Sequence, residues 1–187
     1  MTGYSCVICI TEQEVTLRGI ALSDARLPSY FHNILGPPDR MEPIGDPAPA
    51  GHRNPVVHYY DQLGLVLVEH HFTYQITLVE VILNPAESVH PVNKPFSGQL
   101  RLGRTVITAG AMERDLIDSG MTFTGTLPGT WFATIHNRPP VYPSSVSVRT
   151  LGPRLSSGRR SKRRDIQSVQ IGLNHDPWET AFRPASG

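Results

Sequence analysis

Cysteine is nearly absent from this chain of 187 residues: Cys6 and Cys9 are the only two. No framework of paired cysteines exists, so a packed core must hold the fold. Cys6-Val-Ile-Cys9 has too few thiols for a structural zinc site. Its apolar, strand-like setting also lacks the helix N-terminus that a redox Cys-x-x-Cys uses. Both read as structural thiols. Charge is sparse as well, at 18% of residues, and aromatic residues make up 7%. No apolar run approaches the roughly 18 residues that span a bilayer. Residues 1–10 have no basic n-region, and their apolar run is too short for a signal peptide. The expectation is a cytoplasmic protein with no membrane partner.

Catalytic motifs are missing too. The chain has no His-Glu-x-x-His and no Gly-x-Ser-x-Gly, and Gly98 to Gly103 lacks the Lys-Ser/Thr and helix of a phosphate loop. Eight histidines are present. His70 and His71, adjacent in a strand, would point oppositely. His58 and His70 read as cross-strand neighbours on a hairpin. No catalytic residue, cofactor or metal is assigned, and the chain is read as not an enzyme.

Turns are plentiful, with 17 Pro and 16 Gly. The net charge of +1 hides a division. Residues 1–97 hold 5 Lys/Arg against 10 Asp/Glu, and residues 98–187 hold 12 against 6. Such an asymmetry steers a charged partner or holds the halves together.

Val7 to Ile10 and Val15 to Ile20 read as strands. Pro28 opens a helix at the one position where its missing N–H costs nothing. Phe31, Ile34 and Leu35 give that helix an apolar face, and Gly36-Pro37-Pro38 stops it. Residues 39–54, rich in Pro and Gly, read as a loop of about sixteen residues, long enough to suggest function. Val56 to Tyr60 and Leu65 to Val68 form a hairpin around Asp61-Gln-Leu-Gly64. Gln75 to Leu83 is apolar on both faces, as a central strand or one at a subunit contact would be.

The second half repeats this order. Ile76-x-x-Val-x-Val-x-Leu-Asn84 recurs as Ile166-x-x-Val-x-Ile-x-Leu-Asn174. Val15-Thr-Leu-Arg-Gly-Ile20 matches Gly98-Gln-Leu-Arg-Leu-Gly103. A second helix spans Ala111 to Ile117, and a second hairpin runs from Met121 to Ile135 around Pro128-Gly129. Ser145 to Arg149 is an additional strand. The expected fold is α+β: mainly antiparallel sheet with two short helices on one face, built from two degenerate helix-plus-meander repeats. Residues 1–97 form the first unit, 98–175 the second, packed as one body, and 176–187 a tail in which Trp178 and Phe182 could dock one helical turn.

The repeat unit resembles the helix-on-sheet modules of β-lactamase-inhibitor-like and outer-membrane-assembly-lipoprotein-like domains. Ile34-Leu-Gly-Pro-Pro-Asp-Arg40, Tyr59-Tyr-Asp-Gln-Leu-Gly-Leu65 and Pro95-Phe-Ser-Gly98 resemble a bacterial domain family often encoded beside secreted or contact-dependent toxins. The resemblance covers residues 15–110, rests on caps, turns and strand ends, and implies a protein-binding role. It transfers no catalytic residue.

The function expected is therefore that of an immunity or inhibitor protein that occludes a cognate toxin. Tyr and Arg suit interface anchors. The candidates are Tyr59, Tyr60 and Asp61 on the hairpin, Asp46 and Arg53 in the 39–54 loop, and Arg159, Arg160, Lys162, Arg163 and Arg164 in the basic stretch 154–164. Because Tyr59 and Tyr60 point to opposite faces, one is expected in the core and the other free. One alternative is a nucleic-acid-binding protein that grips phosphates with the basic stretch, which lacks aromatic residues for base stacking. A second is an enzyme with a His-containing pocket. A homodimer is kept as an alternative partner.

Overall fold

The computed structural model of the chain describes residues 6–22, 26–48, 53–88, 90–127, 129–136, 144–151 and 165–173. Alternating apolar positions build two sheets. Val7–Ile10 (β1), Val15–Leu17 (β2) and Ile20–Ala21 (β3) are followed by the helix Pro28–Leu35 (α1), then by Arg40–Pro43 (β4), Val56–Tyr60 (β5), Leu65–Glu69 (β6) and Ile76–Ile82 (β7). The second half supplies Gln99–Leu102 (β8), Thr105–Ile107 (β9), the helix Glu113–Asp118 (α2), Thr124–Leu127 (β10), Thr130–Ile135 (β11), Ser144–Leu151 (β12) and Asp165–Gly172 (β13). The fold is α+β with mainly antiparallel sheet, as expected.

The smaller sheet has the order β3-β2-β1-β8-β9 and the larger β10-β11-β12-β13-β7-β6-β5-β4. Both halves thus contribute to both sheets. A unit boundary at residue 97 does not separate them, because β1 pairs in parallel with β8, Val7 facing Gln99 and Ile10 facing Leu102. One continuous core lies between the layers. It takes Ile8, Ile10 and Leu17 from the small sheet, Leu65, Leu67, Val79 and Ile171 from the large one, and Phe31 and Leu116 from the two helices. A second, smaller cluster of Val57, Tyr59, Val66, Ile82 and Val92 lies apart from it.

Four local expectations change. Val15 to Ile20 is a tight hairpin, not one strand, because Arg18 and Gly19 take left-handed conformations (φ 51° and 78°). The 39–54 segment begins with a strand, Arg40 pairing with Tyr59 and Pro43 with Val56. As an edge strand it hydrogen-bonds on one side only, which tolerates a proline and needs little apolar patterning. The second helix starts two residues late, with Ala111 buried before it and Met112 N–H donating to Asp115 Oδ2 (2.7 Å). His58 faces Leu67, not His70, because the Asp61–Gly64 turn centres the register lower than the His pairing requires.

The central pair of the large sheet has a particular register. Aligning Ile76–Asn84 with Ile166–Asn174 sets Leu78 on Ser168, Glu80 on Gln170 and Ile82 on Gly172. The structure pairs Leu78 with Gly172, Ile82 with Ser168 and Glu80 with Gln170. Matched positions therefore exchange across a local two-fold centred on Glu80 and Gln170, where Gln170 Nε2 donates to Glu80 Oε1 (3.2 Å).

Candidate functional site

β5 lies one strand in from the edge, and both of its faces are covered. Tyr59 and Tyr60 are each 4% exposed and Asp61 5%. The expectation that one tyrosine is free is therefore corrected, and these three residues are scaffold rather than presented anchors. Tyr60 points into the main core and its hydroxyl donates to Gly36 O (3.1 Å). Burial and the nearby Asp39 push its pKa upward. Tyr59 lies on the other face, with the Arg40 guanidinium 3.5 Å from its ring centroid. Arg40 Nε donates to Asp61 Oδ2 (2.8 Å), Nη2 to Pro91 O (2.6 Å), and Nη1 to Glu42. Arg40 thus ties the edge strand, the hairpin turn and the 90–92 segment together.

Asp46 and Arg53 do reach the surface. They share an open cleft with Asn54, His71, Phe72 and Tyr74. The cleft is preformed on both sides. Asn54 Nδ2 donates to Ile44 O (3.0 Å) and Asp46 O (2.7 Å), closing the turn that carries Asp46. Opposite, His70 N–H donates to Gln75 O and Tyr74 N–H to His70 O (both 2.8 Å). Tyr74 adopts the left-handed conformation (φ 56°), its hydroxyl donates to Arg53 O (2.9 Å), and its ring lies 4.2 Å from the Arg53 guanidinium. A positive φ outside glycine marks a position fixed by its surroundings. The turn holds Phe72 out at 67% exposure.

Beneath the cleft runs a buried polar array. Arg53 Nη1 donates to Glu69 Oε2 (2.8 Å), which also accepts from Val56 N–H (3.1 Å). Glu69 Oε1 lies 3.0 Å from His58 Nε2, and His58 Nδ1 lies 3.2 Å from His32 Nε2 on α1. Three donors converge on Glu69, so both oxygens of this buried carboxylate are partnered. With His58 Nε2–H donating to it, a neutral His58 must accept at Nδ1, so His32 donates through Nε2. The His32 pKa is lowered, by burial first and then by His58, with Glu69 opposing. Both nitrogens of His58 are engaged by direct contacts, and His58 is 2% exposed. Among the described residues no group of three or more His, Cys, Asp or Glu is arranged to hold a metal.

The sequence reading missed Glu69 and His32. A signal existed for Glu69: it follows Leu65 and Leu67 at period two, which puts a carboxylate on the core face. No comparable sign marked His32. Arg159, Arg160, Lys162, Arg163 and Arg164 lie outside the described residues. No family model, curated protein or solved structure matches this chain.

Proposed function

We propose that the protein works by binding rather than turnover, as an immunity or inhibitor protein that occludes a cognate bacterial toxin. The observation that carries this reading is Phe72, a large aromatic side chain held out beside Arg53 and Tyr74 by a hydrogen-bonded turn. A fixed aromatic anchor loses little conformational freedom on binding, so more of its buried area appears as affinity. Arg53 is pre-oriented in the same way, by Glu69 below it and Tyr74 beside it. Exposed Met41 and Ile44 on the 39–54 segment extend the apolar surface, and Asp46 adds a charge. The toxin assignment rests on the resemblance to toxin-neighbouring domains, and the surface rests on this geometry.

The test is co-purification with a toxin encoded beside this reading frame. The intact chain should capture it, and Phe72→Ala should weaken capture by about tenfold or more. Undiminished capture by Phe72→Ala sinks the surface; no capture of any neighbouring toxin sinks the toxin reading. Filter binding to DNA and RNA at two salt concentrations is the companion measurement. Micromolar affinity that collapses with salt would move the assignment to nucleic acid.

A further inference from the structure

A cleft of about 520 Å³ lies between α2 and Trp131 of β11. Five apolar side chains line it: Leu116, Ile117, Met121, Phe123 and Trp131. Leu116 and Met121 belong to the main core, Phe123 and Trp131 pack against it, and Ile117 is 78% exposed. The helix packs on β9. On the other side, Trp131 pairs with Gly125 of β10, and the benzo edge of the indole lies over that glycine. A Cβ there would stand 3.3 Å from the ring.

Hydrogen bonds fix the walls. Ser119 Oγ donates to Leu116 O (2.5 Å) and accepts from Met121 N–H (3.1 Å), and Gly120 turns the chain with φ 75°. Arg104 ties this turn to the β8–β9 hairpin, Nε donating to Asp118 O and N–H to Ser119 O (both 3.0 Å). Thr122 gives its N–H and its hydroxyl to Glu12 Oε1 (each 3.1 Å). The Met121–Phe123 segment is thus pinned on either side. A preformed apolar cleft of this size, with few polar groups, has the usual form of a small-molecule site.

The polar groups decide which kind of molecule fits. Thr122 is spent on Glu12, and Glu113, which also lines the cleft, is engaged as well. Two groups are left. Arg114 is exposed in the first turn of α2 and has no partner among the described residues. Trp131 Nε1 is buried and has no acceptor. Unpaired buried donors are uncommon in folded chains. Both unspent groups are donors, so the fitting guest brings an acceptor, and the guanidinium favours a planar anionic one.

We propose that this cleft binds a small apolar carboxylate, a medium-length aliphatic or single-ring acid. Its body lies among Ile117, Met121, Phe123 and Trp131, and its carboxylate is taken by Arg114 and the Trp131 N–H. Nε1 is closed off from solvent, so the indole tilts to present it. The missing side chain of Gly125 leaves the ring that room. The site shares no residue with the cleft at Arg53 and Phe72 and is independent of toxin binding.

The experiment is an NMR titration of the full isotope-labelled chain with octanoate, octanol and octylamine, which share one apolar body and differ in head group. The readout is the indole N–H signal of Trp131, assigned with Trp178→Phe. Octanoate should move that signal downfield and saturate. Octanol should bind about tenfold more weakly, and octylamine no more tightly than octanol. Arg114→Gln should remove the advantage of octanoate over octanol. Ile117→Asn, on the exposed wall, should weaken both, while the urea midpoints of the two variants stay native. The proposal is overturned by octanoate giving no saturable shift, or by octanol or octylamine binding as tightly. It is equally overturned by an octanoate affinity that Arg114→Gln or Ile117→Asn leaves unchanged.

Discussion

His58 Nδ1 lies 3.2 Å from His32 Nε2, and this contact fixes the protonation logic of the polar array. One of the two nitrogens must carry the hydrogen and the other must not. With His32 Nε2–H donating to His58 Nδ1, a proton added to His32 goes to its Nδ1 and leaves the contact in place.

Burial of His32 on α1 disfavours its charged form, so acid should destabilise the fold. The folded pKa of His32 is lowered from 6.5, so the unfolded chain binds more protons in the window just below that value. Its contribution to stability is fully present above the unfolded pKa and is lost as pH falls below it. Urea midpoints measured between pH 7.5 and 5 should fall more for the native sequence than for His32→Gln. Parallel curves for the two proteins would contradict this.

Glu69 carries the heaviest consequences within the array. Glu69→Ala leaves the buried His58 and the Val56 N–H without their acceptor and removes the partner of the half-exposed Arg53. A buried donor left without its acceptor costs about 1–3 kcal/mol. Glu69→Gln keeps an acceptor for Arg53 and should cost less. Equilibrium denaturation at pH 7 reads both.

Arg40→Met removes the cation from Tyr59 and leaves Asp61 buried without its partner. The expected loss is about 2–4 kcal/mol. Arg40→Lys should recover only part of it, since an ammonium cannot hold Asp61 Oδ2 and Pro91 O in one planar fork. Thermal denaturation of the three proteins gives the order.

Gly64→Ala should be severe. Gly64 has φ 75°, and a Cβ there would fall on the backbone of Phe96 and Pro95. Strain and displaced backbone together cost about 2 kcal/mol or more. Denaturant midpoints should show it, together with easier proteolysis around Pro95 and Phe96.

Burial pushes the Cys6 thiol up to about 11, with Arg18 opposing. Since the thiolate is the reactive form, Cys6 should resist a disulfide reagent at pH 8 in the native protein and react once the chain is unfolded. Native labelling of Cys6 at a rate close to that of the denatured chain would show that the site opens.

Most strand positions were legible because apolar alternation and Gly or Pro punctuation are local signals. Val56–Tyr60, Leu65–Glu69 and Ile76–Ile82 fall within a residue or so of the expected segments. Arg40–Pro43 was not legible, because an edge strand is defined by its neighbour Val56–Tyr60 and not by its own pattern. The union of β1 with β8 leaves no trace in either segment, so the mixing of the halves in both sheets could not be read. The candidate site divides in the same way. Asp46 and Arg53 were found as charges in a long loop. Phe72 and Tyr74 matter because a turn brings them opposite that loop, and only the folded chain shows it.

β1 also sets a schedule. Its hydrogen-bonding groups on one side find β2 almost at once, but those on the other side must wait for residues 99–102. A ribosome adding about 5–20 residues per second leaves that edge, Val-Ile-Cys-Ile, unpaired for roughly 5–20 s. An apolar strand edge left open is a template for another chain. The interval of greatest aggregation risk is thus written into the topology. Faster translation through residues 11–98 should raise soluble yield without any change in the finished fold.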